Sequence, residues 1–348
     1  MENKEVMYHI GLSKKDIKHA KYAILPGDPG RVAKIAEMLT NPTPLKVNRE
    51  YTSYLGEIAG EKVLVMSTGM GGPSTAIAVE ELAQIGLKNL IRVGTSGGMQ
   101  LNICAGDVVI AHAAIRQEGT SKEYVPIEFP AVADLSITNA LKQAADELGY
   151  NNHVGIVHCK DSFYGQHSPG RMPVGYDLKD KWNAWIKAGC LCSEMETAAL
   201  YTVSQILGLK AGAVLHVVWN QEREKRGLSQ DEKHNTDNAI ATAIKAMLTE
   251  AINNGMTLAT AREFTDTRSL SAKAKFGGKM PMLKEIPVGL TDTEKKTILF
   301  DTHGKRRYYD ELWIIEGVSF ALTNNIYAKN VDALKNVLAS LKLLTVED

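Results

Sequence analysis

Three arginines in this sequence stand where a guanidinium is costly or conspicuous. Arg92 lies inside the apolar run "LIRVGTSGG", Leu90 to Gly98. A charge in a Leu/Ile/Val strand is unfavourable unless it meets an anion. Gly94, Gly97 and Gly98 follow it and let backbone N–H groups come close to a ligand, while Thr95 and Ser96 add hydroxyl donors. Arg31 closes "LPGDPGR", a Gly/Pro turn between the apolar "KYAI" and the helical pattern "RVAKIAEML". A strand–turn–helix junction of that kind offers free N–H groups and a positive helix end. Arg49, in "VNREYTSY", is the third. Guanidinium groups beside glycine-rich strand ends suit a phosphate dianion, which takes bidentate hydrogen bonds. The plain alternative at Arg31 is a tight turn with a surface arginine. The turn is neither a Walker loop nor GxGxxG.

Two further stretches extend the pattern. In "SEMETAAL", Ser193 to Leu200, Glu194 and Glu196 flank Met195 where a strand meets a helix. A carboxylate there either caps the helix or accepts hydrogen bonds from sugar hydroxyls. In "HCKDSFYGQHSPGRMPVGY", residues 158–176, Phe163 and Tyr164 can stack on a planar ring. Gln166 carries a donor and an acceptor together, matching the amide face of a pyrimidine or purine, and Lys160 and His167 stand nearby as donors. A polar loop without such a duty is the alternative. A carboxylate facing a vicinal diol beside an arginine-bound phosphate points to ribose chemistry.

The elements that must hold these residues are legible as alternating patterns up to about residue 254. Strands are expected at "KYAIL", "KVLVMST", "NLIRVGT", "GDVVIAHAAI", "HVGIVHCK", "CLCSE" and "AGAVLHVVW", several of them continuous apolar runs, as in strands covered on both faces. Helices are expected at "PSTAIAVEELAQIG", from Pro73 to Gly86, and at "DLSITNALKQAADELG" and "QDEKHNTDNAIATAIKAMLTEAI". This order is α/β, a mixed central sheet flanked by helices. Composition shifts near Gly255 to a Thr/Ser/Ala/Lys-rich stretch that reads as linker. A strand–turn–strand around His303-Gly304 and an amphipathic helix at "VDALKNVLASLKLL" follow. The expected organisation is therefore a domain over 1–254 and a small C-terminal α+β appendage over 255–348, of unknown role.

Composition narrows the function classes. The 348 residues are 44% hydrophobic and 23% charged, with 40 basic and 40 acidic side chains. That balance gives no chain-wide basic footprint for nucleic acid, so an anion is held by a few placed cations. "GKRRYYDELW" mixes basic and aromatic residues in the manner of an RNA contact, but an exposed face or an oligomer contact accounts for it equally. Cys104, Cys159, Cys190 and Cys192 form no CxxC pair and read as reduced thiols. The N-terminus lacks a signal-peptide core, and no apolar run spans a membrane. A cytoplasmic protein is expected.

Taken together, "PGDPGR", "GMGGPSTAIAVEELAQIG", "RVGTSGG", "GDVVIAHAAIRQEG", "EFPAVAD", "DSFYGQH" and "SEMETAAL" resemble the nucleoside phosphorylase-I family over about His9 to Leu248. The stretch "DSFYGQHSPGRMPVGYDLKDKWNAW" resembles one bacterial uridine-cleaving branch of it. The resemblance implies reversible phosphorolysis of uridine to uracil and ribose 1-phosphate, with inorganic phosphate as co-substrate and no organic cofactor. It implies that Gly27, Arg31, Arg92 and Thr95 bind phosphate, joined by Arg49 from a neighbouring subunit. His9 would cross the same interface toward the ribose 5′-hydroxyl. Thr95, Met195 and Glu196 would hold the ribose, Glu196 at its 2′-hydroxyl. Gly97, Phe163 and Gln166 would hold the base, and Arg92, Gln166 and Glu196 would carry catalysis. Glu50, Met70 and Ser74 match a potassium site at the dimer interface. A homodimer, often assembled into a hexamer, is the implied unit.

The sequence departs from that pattern on the base side. Ser168 and Gln221 stand where better-known members carry arginines. Lys160 and His167 are the candidates to replace them. Purine-specific relatives place an aspartate near the end of the late strand to protonate N7, and here Asn220 stands there. An amide cannot act as a general acid, which favours a pyrimidine. A purine nucleoside phosphorylase, a nucleosidase using water and a non-catalytic nucleoside sensor remain the competing expectations.

Overall fold

The computed structural model describes residues 6–228, 231–254, 284–285, 297–298, 311–315 and 318–322. The apolar runs become strands and the amphipathic runs become helices, in alternation. The first stretch holds β1 (Tyr22–Pro26), α1 (Gly30–Ala36), β2 (Thr40–Asn48), β3 (Tyr51–Ile58), β4 (Glu61–Met66) and α2 (Gly72–Ile85). Then come β5 (Asn89–Gly98), β6 (Val108–Arg116), α3 (Thr120–Tyr124), β7 (Ala131–Val132), α4 (Leu135–Glu147) and β8 (Asn152–Cys159). They are followed by α5 (Phe163–His167), α6 (Gly175–Lys187), β9 (Cys192–Glu194), α7 (Thr197–Ile206), β10 (Lys210–Asn220), α8 (Gln221–Lys225) and α9 (Asp237–Asn253). α2 shows why the local sequence suffices. Pro73 sits in its first turn, where no N–H is needed, and Gly86 ends it in the left-handed region at φ 109°.

The sheet is mixed, and its connectivity builds the site. β5 pairs parallel with β10 along its length. β10 pairs antiparallel with β6, β6 parallel with β8, and β8 parallel with β9. β9 returns to β5 at Gly97↔Ser193 and Gly98↔Cys192, so these five strands close on themselves. From β5 the sheet also extends through β1, β4, β3 and β2. On that edge β1 follows β5 only as far as Pro26↔Val93. Between that point and the start of β9, Gly94, Thr95 and Ser96 have no strand neighbour on one side. Adjacent strands diverging at their carboxyl ends leave the kind of crevice in which α/β sheets bind ligands. The core beneath it is continuous: Leu25, Leu64, Leu90, Val109 and Leu215 are buried in one cluster.

The chain divides into two units, Met1–Asp146 with Tyr150–Gly255 and Glu147–Gly149 with Met256–Asp348. Among the described residues of the C-terminal segment, β11 (Lys284–Glu285) pairs antiparallel with β12 (Thr297–Ile298), and β13 (Glu311–Ile315) with β14 (Val318–Leu322). The turn expected at His303-Gly304, the linker and the helix over 331–344 lie outside the described residues.

Three elements differ from expectation. β2 and β3 form a hairpin at the sheet edge that the apolar-run criterion misses, because β2 is largely exposed and carries Pro42 and Pro44. The stretch read as a polar loop after Lys160 contains α5 and leads into α6. α9 begins at Asp237, seven residues after the expected Gln230, and the intervening residues that are described are non-helical.

Candidate active site

Arg92 is carried into the crevice by β5 and is 4% exposed. Its Nε donates to Glu194 Oε2 at 3.2 Å and its Nη2 to Glu196 Oε2 at 2.5 Å. Its Nη1 is buried and meets no hydrogen-bond partner among the described residues. Arg31, at the start of α1, likewise has a buried Nη1 without a partner; its nearest acid, Asp28, lies 3.6 Å from Nε. Both arginines line one cleft of about 570 Å³. A purely structural arginine in the same chain looks different. Arg116 donates to Ser121, Pro126, Val125 and Phe129, and every nitrogen is used. Buried guanidinium donors left unfilled on two residues that line one cleft are what an oxyanion would complete.

The electrostatics agree. Burial, and then the neighbouring Arg92, lower the pKa of Arg31 against the pull of Asp28. Two like charges thus stand together on one wall, and the two buried acids beside them are hydrogen-bonded to Arg92 and not to Arg31. Burial also opposes the charge on Arg92, but Glu196 and Glu194 outweigh it and hold its pKa above the ordinary value. Burial pushes Glu196 upward against Arg92, and Glu194 adds to the rise. Glycines keep the space open. A Cβ on Gly27 would lie 3.6 Å from Arg92 Nη1 and 3.2 Å from the Gly69 carbonyl oxygen. One on Gly94 would lie 2.7 Å from Arg92 Nη2.

Both acids of "SEMETAAL" line the cleft and accept from Arg92, and their other partners differ. Glu194 accepts from the backbone N–H groups of Glu196 and Thr197, so it caps the first turn of α7. Glu196 instead bridges Arg92 and the Gly71 N–H, which donates to Oε1 at 2.6 Å, and it lines the cleft. Thr95, Gly97, Lys160, Phe163, Gln166, His167 and Met195 line the same cleft, as does Met70 at its rim. The sheet register and the α5 turn therefore gather twelve of the expected site residues.

On the base side, Phe163 and His167 lie with ring centroids 4.3 Å apart, and His167 and Trp219 at 6.0 Å. Behind them the Ser193 hydroxyl is a hub. It lies 2.8 Å from Lys160 Nζ, 2.9 Å from His158 Nδ1 and 2.9 Å from the Gln166 side-chain amide. Burial lowers the pKa of Lys160, opposed by Glu194. Lys160, Gln166 and His167 also wall an adjoining cavity of about 540 Å³ that reaches Gln221. Sequence reasoning missed Ser193, His158 and Gln117, because only the pairing of β8 with β9 on one side and β6 on the other brings them together.

His9, Arg49, Glu50 and Ser74 do not line the cleft of their own chain. Glu81 accepts from the backbone N–H groups of His9 and Ile10 and lies 2.7 Å from His9 Nδ1. The Arg49 guanidinium sits over the Tyr8 ring at 5.6 Å. Ser74 Oγ donates to the Met70 carbonyl at 3.1 Å, and a Cβ on Gly69 would meet both Glu50 and Ser74. Carboxylate, carbonyl and hydroxyl oxygens are hard ligands suited to an alkali cation. Among the described residues no group of three or more His, Cys, Asp or Glu is placed to hold a metal ion. Asn220 is fully buried; its amide donates to the carbonyls of Gln100 and Ile103 and its oxygen caps α8. It does not line the cleft, so its place is structural and not beside a base.

The family profile described as "Phosphorylase superfamily" matches residues 21–253. The chain belongs to the phosphorylase superfamily. Within it, the chain is 54% identical over 240 residues to a uridine phosphorylase of Treponema pallidum, covering 69% of this chain and 92% of the relative. It is 41% identical over 249 residues to the uridine phosphorylase of Escherichia coli, 70% and 98% of the two chains. A guanosine phosphorylase of Halorubrum lacusprofundi is 37% identical over 232 residues, 65% and 92%. For a superfamily enzyme, a cleft with unfilled guanidinium donors at one end and stacked rings with an amide at the other has the polarity of a nucleoside lying above a phosphate. The four cysteines are free thiols, and no helix among the described residues is long and apolar enough to cross a membrane.

Proposed function

We propose that this chain is a uridine phosphorylase: uridine and inorganic phosphate give uracil and ribose 1-phosphate, reversibly. The observation that carries the reading is the pair of buried, unfilled Nη1 groups of Arg31 and Arg92 on one cleft wall. A hydrolase has no need of such a cradle, and a sensor has no need of the acid bridge that holds Arg92 rigid. The curated relatives at 41–54% identity support uridine over guanosine.

Phosphate held by Arg31, Arg92, Thr95 and the Gly27 backbone attacks C1′ of the ribose as the bond to N1 of the base breaks. The C–O bond forms at C1′, and the bonding pair of the C–N bond leaves with uracil, which takes up a proton. As the bond stretches the sugar becomes cation-like, and the phosphate charge below it stabilises that. The departing base gathers negative charge on its oxygens, where Lys160 or His167 stands with the second amide N–H of Gln166. Preorganised donors aimed at such charge contribute about 3 kcal/mol each. Glu196 and Met195 hold the ribose, Glu196 at the 2′-hydroxyl, and fix the angle of attack.

Arg49 and His9 act in the cleft of a second copy, which makes the homodimer the minimal unit and a hexamer, three such dimers, its extension. Glu50, Met70 and Ser74 hold a potassium ion at that interface. Four reduced thiols support a cytoplasmic location. Residues 1–254 are the catalytic domain and 255–348 a separate appendage. Release of uracil from uridine, followed by ultraviolet absorbance with and without phosphate, tests the reading. Release only with phosphate is expected; equal release without it would make the protein a nucleosidase.

A further inference from the structure

A line of buried and half-buried polar side chains runs from the packed face of α6 to the cleft, and its hydrogen-bond polarity can be worked out from one end. Trp185 Nε1 donates to Gln117 Oε1 at 2.8 Å. An indole N–H only donates, so the oxygen of Gln117 must face it. The same oxygen lies 3.0 Å from His158 Nε2, so Nε2 carries the proton. His158 is 3% exposed, and burial, followed by the charge of Lys160, lowers its pKa to about 3. The ring is therefore neutral, and Nδ1 is a bare acceptor. Its partner there is Ser193 Oγ at 2.9 Å, which spends its single proton on it. The two lone pairs of Ser193 are left to accept, one from Lys160 Nζ at 2.8 Å and one from Gln166.

This decides the orientation of Gln166. The placement with Oε1 at 2.9 Å from Ser193 Oγ and the placement with Nε2 there differ only by a half-turn of the amide. The first needs a second hydroxyl proton that Ser193 does not have. The amide nitrogen therefore faces Ser193. The carbonyl oxygen takes the other position, 3.9 Å from where a Cβ on Gly97 would stand, on the cleft side, and the Gln221 amide 3.4 Å away makes the same half-turn so that its nitrogen donates.

We propose that Trp185, Gln117, His158 and Ser193 form a one-way hydrogen-bond relay that fixes Gln166 with its carbonyl oxygen toward the base, so that the cleft selects a nucleobase edge bearing a ring N–H over one bearing a bare ring nitrogen. Uracil presents N3–H to that oxygen, and cytosine presents a lone pair. Trp185, Gln117 and His158 are positioning residues, since none of them touches the base. The identity of the base rests on the uridine reading, whereas the proton position on His158 does not.

The test has two arms on the full-length, ligand-free chain. With imidazole-15N histidine, long-range 1H–15N correlation at neutral pH reads the His158 tautomer, assigned by the signal lost in His158→Gln. The proton is expected on Nε2. A proton on Nδ1, or on both nitrogens, overturns the relay. Trp185→Phe removes one N–H and little volume, and Gln117→Leu cuts the next link should the first variant not fold. Either is expected to release the Nδ1–H tautomer and to lower the ratio of kcat/KM for uridine over cytidine by about ten- to a hundredfold, the size of one mispaired buried group. A purely structural defect would lower both substrates together and leave the ratio alone, and that result overturns the proposal. Failure of the wild-type chain to cleave uridine sinks the substrate reading instead, and the tautomer still decides the relay.

Discussion

Replacing Arg31 with glutamine separates a phosphate-binding arginine from a structural one. Arg31 has one acid near it, the largely exposed Asp28 at 3.6 Å, and a buried Nη1 with no partner among the described residues. The buried Glu196 attracts it less than Asp28 does and is hydrogen-bonded to Arg92 instead, and its neighbour Arg92 repels it. Arg31→Gln should therefore leave the ligand-free protein at least as stable as the wild type. A hydrogen bond to a charged group contributes about 1.5–3 kcal/mol, so the phosphate Kd should weaken roughly 10- to 150-fold. Ligand linkage turns this into a melting experiment. Phosphate at about 100 times Kd adds ~2.7 kcal/mol. For a unit of roughly 150–250 residues that raises Tm by ~5–10 °C. With Kd about a hundredfold weaker, the same phosphate adds only ~0.4 kcal/mol, or ~1 °C. Differential scanning fluorimetry over a phosphate series, paired with uracil release, measures both quantities. A full phosphate shift in the variant would refute the assignment of Arg31, and so would an unchanged KM for phosphate.

The other predictions concern the remaining walls of the cleft. Gly27→Ala places a methyl group 3.6 Å from Arg92 Nη1, in the space a phosphate oxygen would use. It should raise KM for phosphate by about tenfold while moving KM for uridine less, the overpacking cost of a tight site; equal effects on both would remove Gly27 from the phosphate end. Lys160→Met and His167→Ala ask which residue replaces the absent base-side arginines. Lys160 is buried against Ser193, whereas His167 is exposed and stacked on Phe163. The larger loss of kcat should therefore come from Lys160→Met, and full activity in both variants would contradict the account of this end.

Much of this site was legible in the sequence because single residues violated their surroundings. Arg92 in an apolar strand needs an anion wherever the strand lies, and the glycines after it need a close approach whatever the topology. The mixed sheet followed from alternating runs, since β1, β5 and β10 are buried on both faces. β2 was not legible, because an exposed edge strand with two prolines has no apolar signature. Nor was the difference between Glu194 and Glu196: both stand at a strand–helix junction and both accept from Arg92, and only the folded chain shows that Glu194 also caps α7 while Glu196 reaches the Gly71 N–H. The Trp185–Gln117–His158–Ser193 line joins residues up to 76 positions apart and exists only once β8 lies beside β9. What Asn220 does was not legible either: its nitrogen is spent on the Gln100 and Ile103 carbonyls and its oxygen on the start of α8.

The claim on which the rest depends is that phosphate, held by Arg31 and Arg92, is the nucleophile. Following uridine cleavage by 31P NMR tests it directly, because the phosphorus either ends in the product or does not. The account predicts that inorganic phosphate is consumed and a sugar 1-phosphate signal appears, one for each uracil released. Uracil appearing with free ribose, and with the phosphate signal unchanged, would contradict it.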